Sequence, residues 1–238
     1  MLVCTVSRFV GEVKGCGTIG AVTPQTPHAR PYRGVPADQR RARRRAALLA
    51  AGLQLLGTQG WTATTVRRVC AEARLNDRYF YENFPDRDAL LLAIIDDQVA
   101  QGTAVILSAA REAPRHPQAR TRAVVTAVFD FLTTDPRRAH ILTHAFPLSP
   151  LLQERRVEII RTMAAIFAAQ THETLDQVTL SDTDLELTGL TLTAGLWELF
   201  TTWFRGDLDI DRDRLIDYTV ALLLTTTELA APLHHRLR

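Results

Sequence analysis

The stretch from Thr65 to Pro85, TVRRVCAEARLNDRYFYENFP, constrains this chain more than any other. Val66, Val69, Cys70 and Ala73 recur at i, i+3, i+4 and i+7, which is one face of a short helix. Thr65 stands just before that face, where its hydroxyl can accept from an orphan backbone N–H. Arg74-Leu75-Asn76 breaks the pattern, and Asn76 is placed to cap a second helix. On that second helix the apolar rings Phe80 and Phe84 lie four apart, leaving Arg78, Tyr79, Tyr81, Glu82 and Asn83 for the other faces. Pro85 ends it, because the residue before a proline is pushed out of helical angles. Two short helices joined by a tight turn are the shape of a helix-turn-helix, whose second helix enters the DNA major groove.

Charge supports that reading only once the chain is divided. The net charge of +2 is uninformative, but residues 1–84 carry 13 basic against 5 acidic residues and residues 85–238 carry 15 against 21. The front is thus net +8 and the back net −6, which suggests a polyanion partner for the front alone. All but one of the basic residues are arginine, Lys14 being the only lysine. Five of them, Arg40, Arg41, Arg43, Arg44 and Arg45, crowd the start of a helix expected over residues 38–59. Cations there oppose the helix dipole by about 0.3–1 kcal/mol each, so attraction to phosphate is the expected reason for the cluster. Leu49, Gly52, Leu53 and Leu56 give that helix its apolar stripe, Gly60 its C-cap, and Trp61 is expected to plug the small core.

Residues 45–93 resemble the DNA-binding domain of the TetR family of bacterial transcriptional regulators. The likeness rests on Gly60-Trp61, Thr65-Val66-Arg67, Phe80-Tyr81-Glu82-Asn83-Phe84 and Arg87-Asp88-Ala89-Leu90, and it covers about a fifth of the chain. Two positions depart from the family pattern. Arg74 occupies the place of a turn glycine, and Asp77 stands at the front of the recognition helix where a basic or neutral residue is usual. Asp77 either accepts from a cytosine amino group or makes no contact. The resemblance implies that Thr65 and Arg67 meet phosphate or a guanine edge, and that Asn76, Arg78 and Tyr79 face bases. It implies phosphate contacts for Tyr81 and Asn83, with packing on the first helix as the alternative for Tyr81. Arg44 is added from the basic cluster. The expected partner is a double-stranded, palindromic operator.

The remainder reads as all-α, an N-terminal three-helix domain followed by a helical effector-binding and dimerisation domain over 86–238. Helices are expected from Arg87 to Arg111 behind an Asp86 cap, over 118–134, 136–145 and 151–172, from Ser181-Asp182 to Phe204, and from Asp211 to about residue 231. Leu185, Leu187, Leu190, Leu192, Leu196, Leu199 and Phe200 cover most of one helix's circumference. That pattern predicts a subunit interface, with Gly189 and Gly195 permitting close approach. The resemblance agrees, implying a homodimer through the last two helices and an unknown small-molecule effector between them and the front. His140, Thr143, His144, Phe146 and Trp197 are the pocket candidates, with Trp203 beside them. His140 and His144, at i, i+4, could line a pocket, pack, or hold a metal, but no third ligand is evident, so no metal and no cofactor are assigned.

Residues 1–37 read as a disordered extension, either a solvated tail, a minor-groove arm through Arg30 and Arg33, or residues ahead of the true translation start. Arg8, Glu12 and Lys14 break any signal-like apolar core. With no run of 18 apolar residues and three cysteines lacking metal-ligand spacing, the expectation is a cytoplasmic protein with reduced thiols and no membrane partner. No nucleophile elbow, P-loop, His-Glu-x-x-His or paired catalytic carboxylates are present, which argues against an enzyme. The rival reading is a helical small-molecule-binding or protein-interaction module without specific DNA binding.

Overall fold

A computed structural model of the chain describes residues 36–174 and 181–228, and among these residues every regular element is helical. The extension expected over 1–37 therefore lies outside the described residues except for its last two. Helix α1 (Ala37–Gln59) leads into α2 (Val66–Ala73), α3 (Asp77–Tyr81) and the long α4 (Arg87–Glu112). Then come α5 (Pro117–Thr134), α6 (Pro136–His140), a π turn (Ile141–Ala145), α7 (Phe146–Leu148), α8 (Pro150–Thr174), α9 (Asp182–Phe204) and α10 (Arg212–Glu228).

Each start has a local cause. The Asp86, Ser181 and Asp211 carboxylates or hydroxyl accept from the N–H groups of Ala89 (2.7 Å), Asp184 (3.2 Å) and Arg214 (2.7 Å), satisfying donors that have no partner within the helix. The π turn is the one departure from the expected single helix over 136–145. Pro147 has no N–H for the carbonyl four residues back, and its ring would collide there. The helix widens instead, and the Phe146 N–H donates to Ile141 O, five residues earlier.

The buried stripe of α1 is Leu48, Ala51, Gly52, Leu55 and Leu56. Leu49 and Leu53, expected to be central, are its half-buried margin, because the stripe turns toward both α4 and α6. Its leucines close over Val69, Cys70, Phe80 and Phe84, then over Leu90, Leu91, Ile94 and Ile95 of α4. The same core continues without a break into Ile141, Ala145, Phe146, Leu152 and Ile159. Phe80 and Phe84 pack with ring centroids 5.8 Å apart. Each side chain of this size buried in full contributes about 1.5–3 kcal/mol. A second core joins Val125 and Phe129 of α5 to Leu215, Ile216 and Val220 of α10.

Helix α4 is long and apolar enough to cross a membrane by length and composition, at a mean hydropathy of 1.5 over its best window. Asp96 and Asp97 interrupt it, so it holds no unbroken run of 18 apolar residues. Its N-terminal half is committed to the core, however, and its C-terminal half packs on α5.

Candidate nucleic-acid interface and helical cavity

The helix-turn-helix is built by a chain of small fixings. Gly60 takes φ 81°, and the buried Thr64 hydroxyl donates to its carbonyl at 3.0 Å, which sets the approach to α2. Thr65 Oγ1 then accepts from Arg68 N at 3.4 Å. At the far end Arg74 adopts φ 54°, ψ 41°, the left-handed conformation that glycine fills without cost. It is the one non-glycine residue with positive φ among those described. Leu75 N donates to Cys70 O at 2.9 Å to complete the turn. Asn76 Oδ1 accepts from Tyr79 N at 3.2 Å and starts α3.

The residues expected at DNA divide into two sets. Arg67, Asn76, Asp77, Arg78 and Tyr81 are exposed. Thr65, Tyr79, Asn83 and Arg44 are half-buried and already engaged. Asn83 Nδ2 donates back to Tyr79 O at 2.7 Å, closing the end of α3. The Arg44 guanidinium lies 4.5 Å from the centroid of the Tyr79 ring. Asp77 interacts with the Cys70 thiol, and burial first, then this carboxylate, pushes that thiol up to about 11.

The arginine cluster of α1 has an internal role that the sequence reading missed. Arg41 donates to Glu82 O at 2.9 Å, and Arg45 to Asn83 O at 3.5 Å while lying over the Phe84 ring. Arg44 reaches Glu82 Oε2 at 3.5 Å, and Arg78 reaches Glu82 Oε1 at 3.1 Å. Three arginines at the start of α1 thus hold the C-terminal end of α3, where carbonyls lack helical partners and cations are favoured. Phosphate attraction is not needed to explain them. Glu82, absent from the expected contacts, is the hub. Its i, i+4 spacing from Arg78 was the available signal.

Behind α4 lies a cavity of about 410 Å³ walled by α4, α5, α8, α9 and α10 and closed toward the front by the π turn and α7. Phe146 and Trp197 line it, their rings meeting edge to face at 5.1 Å. His140, Thr143 and His144 do not, which corrects three of the five pocket candidates. Arg138, Ile141, Leu142 and Phe146, spaced i, i+3, i+4 and i+8, take the cavity face, and His140, Thr143 and His144 lie off it. The imidazoles of His140 and His144 stack at 4.3 Å with planes 8° apart. Thr143 donates to Ala139 O at 2.8 Å and lies 2.7 Å from His144 Nδ1. Burial, reinforced by His144, holds His140 below the usual histidine range. Among the described residues no three His, Cys, Asp or Glu side chains are grouped to hold a metal. Trp203 is structural, with Nε1 donating to Ile210 O at 2.7 Å and its ring against Phe129.

On the α4 side the cavity wall is the row Val99, Gly102, Thr103 and Ile106. Its other side comes from residues that had been read as a subunit interface. Leu192, Leu196 and Phe200 line the cavity, Leu185 packs on Phe167 and Ala168, and Leu199 joins the second core. A Cβ on Gly189 would stand 3.0 Å from Ala164 O, so this glycine serves the α8–α9 packing of its own chain. Gly195 has nothing within 4 Å, and Leu187 on α9 and Tyr218 on α10 remain exposed.

A capped helix-turn-helix set against a helical body that lines a cavity is the architecture these elements build. The family model described as bacterial regulatory proteins, tetR family, matches residues 48–94, the stretch that holds the helix-turn-helix. The chain is 29% identical over 111 residues to the HTH-type transcriptional regulator EthR of Mycolicibacterium smegmatis, a match spanning 47% of this chain and about half (51%) of that protein's length. Its fold resembles the fatty acid degradation regulator FadR of Bacillus halodurans, with TM-score 0.64 at 18% identity, covering 76% of this chain and 94% of that one. It also resembles FadR of Bacillus subtilis, solved in complex with stearoyl-CoA, with TM-score 0.58 at 17% identity, covering 78% and 97%.

Proposed function

We propose that this protein is a sequence-specific transcriptional repressor that binds a palindromic operator as a homodimer and releases it when an apolar small molecule enters the helical cavity. The observation that carries the reading is the capped pair α2–α3, with Arg67, Arg78 and Tyr81 exposed on it. An exposed arginine fork suits O6 and N7 of guanine, and exposed polar groups nearby suit phosphate. The dimer is supported by the family and by Leu187 (58% exposed) and Tyr218 (50% exposed) on the last two helices. Two recognition helices spaced by about 34–36 Å would meet successive major grooves.

The wall chemistry supports an apolar effector. Two arginines border the cavity, and Arg138 is committed to its neighbours, donating to Phe131 O at 2.7 Å and Gln98 Oε1 at 2.9 Å. Arg120 donates to Ala110 O at 2.9 Å. Along α4 the lining runs from Ile95 to Ile106, about 16 Å at 1.5 Å per residue, a length suited to an extended hydrocarbon chain. The stearoyl-CoA complex of the Bacillus subtilis protein is consistent with that choice. The ligand acts by preferring one arrangement of the front helices, so DNA and ligand oppose each other. A cytoplasmic regulator rather than an enzyme follows from this reading.

The deciding experiment is binding of a salt series of the duplex upstream of the protein's own gene, beside an Arg67→Ala, Tyr81→Ala variant, with and without fatty acids and their CoA esters. Tight binding weakened about 5–150-fold in the variant, and reversed by one apolar compound, is the expected outcome. Weak, sequence-blind binding unchanged in the variant would favour the interaction module instead.

A further inference from the structure

Glu82 is an acidic side chain in the middle of the surface offered to a polyanion, and helix energetics do not account for it. It follows the last turn of α3, where the negative end of the helix dipole disfavours a carboxylate. Asp77, the other acid of this helix, sits at the opposite end, where the dipole favours it. What compensates Glu82 is cationic. Its two carboxylate oxygens take Arg78 Nε at 3.1 Å and Arg44 at 3.5 Å, and its carbonyl takes Arg41 at 2.9 Å. Arg44 is only 24% exposed, and its Nε is buried without a hydrogen-bond partner, so it depends on Glu82 and the Tyr79 ring. Arg78 is 83% exposed and can swing away.

We infer that Glu82 sets DNA specificity by acting as an internal competitor for Arg78, so that phosphate alone does not recruit that arginine. This rests on the DNA-binding reading above. Sequence-independent binding consists of phosphate contacts with strong salt dependence. A guanidinium held by a carboxylate exchanges one anion for another at a random site and gains little. At the correct site a guanine edge adds O6 and N7, contacts that a random sequence does not place within reach of the same arginine. Glu82 therefore weakens random binding more than operator binding and widens the ratio between them.

The test is Glu82→Gln, close in shape but without the charge, measured on an operator selected by the wild-type protein from a random library and on a random-sequence duplex. Expected is a gain of about 5–10-fold on the random duplex at low salt, with the salt slope steeper by about 1, as one further phosphate contact requires. Operator affinity should change by less, so the discrimination ratio falls. In an Arg78→Ala background the same substitution should have a smaller effect. A Glu82→Gln variant that loses affinity on both duplexes would mark Glu82 as a mere scaffold for α3 and overturn the inference, as would one that moves neither. An effect undiminished by Arg78→Ala would also overturn it, leaving general repulsion. Wild-type protein that retains no duplex at all sinks the DNA-binding reading and this one with it. Circular dichroism and thermal unfolding of each variant separate a changed surface from a lost fold.

Discussion

The front and back of this molecule use apolar side chains in opposite ways. Around α1–α3 the apolar stripe closes into one dense core, with Leu48, Leu56, Val69 and Phe80 fully buried. Behind α4 the apolar residues Val99, Ile106, Met163, Leu196 and Phe200 stand around a cavity of about 410 Å³. The difference teaches where each region's specificity resides. A dense core fixes the position of exposed groups such as Arg67 and Arg78, as base reading on the proposed function would require. An incompletely filled body has more than one arrangement within reach, which a ligand can select.

The comparison is broken most severely at Phe80. Removing this 0%-exposed ring should cost about 3–5 kcal/mol, because the neighbouring Phe84, Leu48 and Leu56 cannot collapse around the gap. We expect Phe80→Ala to lower the midpoint of urea unfolding and to abolish DNA binding. A truncation of similar size at Leu196, on the cavity wall, should cost much less, since it enlarges a space that already exists. Equal losses at the two sites would remove the contrast.

How much of this could be read in the sequence follows the same division. Caps are local, so Thr65, Asn76, Asp86, Ser181 and Asp211 were all legible, each oxygen lying within three residues of the N–H it satisfies. The positive φ at Arg74 was legible from its place in the turn. Long-range use of a side chain was not. The internal partners of Arg41 and Arg45 could not be read, because the carbonyls that take them lie about forty positions away, at Glu82 and Asn83. Leu192 and Leu196 looked like interface because periodicity records that a face is apolar and says nothing of what covers it. His140 and His144 were set among the pocket candidates because i, i+4 spacing puts two side chains on one face and says nothing of which space that face meets.

The joint between the two regions is testable at Gly57. A Cβ there would stand 2.4 Å from Arg137 Cβ and 3.0 Å from its Cα, so backbone must give way, not the end of a flexible chain. Arg137 is itself pinned, donating to Gln54 Oε1 at 3.0 Å and pairing with Asp135 at 2.6 Å. Overpacking of about 1–3 kcal/mol outweighs the gain of about 1 kcal/mol from replacing a helical glycine. Gly57→Ala should therefore destabilise the protein in chemical denaturation by about 1 kcal/mol. It should also alter the response to an effector more than the affinity for DNA without one, because α6 leads directly into the cavity wall at Ile141. Unchanged ligand response in a folded Gly57→Ala protein would place the coupling along α4 alone.

The smallest expected effect concerns His140, beside that joint. Its folded-state pKa lies below 6.5 because burial and the stacked His144 both disfavour the cation. The unfolded chain then binds the proton more readily, so the stability contributed by neutral His140 is present above pH 6.5 and is lost as pH falls through the folded value. Burial and His144 both act in this direction, and no negative charge enters to reverse the sign. Thermal midpoints of the wild type should accordingly fall between pH 7 and pH 5 by more than those of His140→Gln, which keeps a polar side chain but carries no titratable group. Parallel pH profiles for the two proteins would mean that the imidazole pair relaxes apart on protonation, and that the stacked arrangement at the π turn adds no pH dependence to the joint.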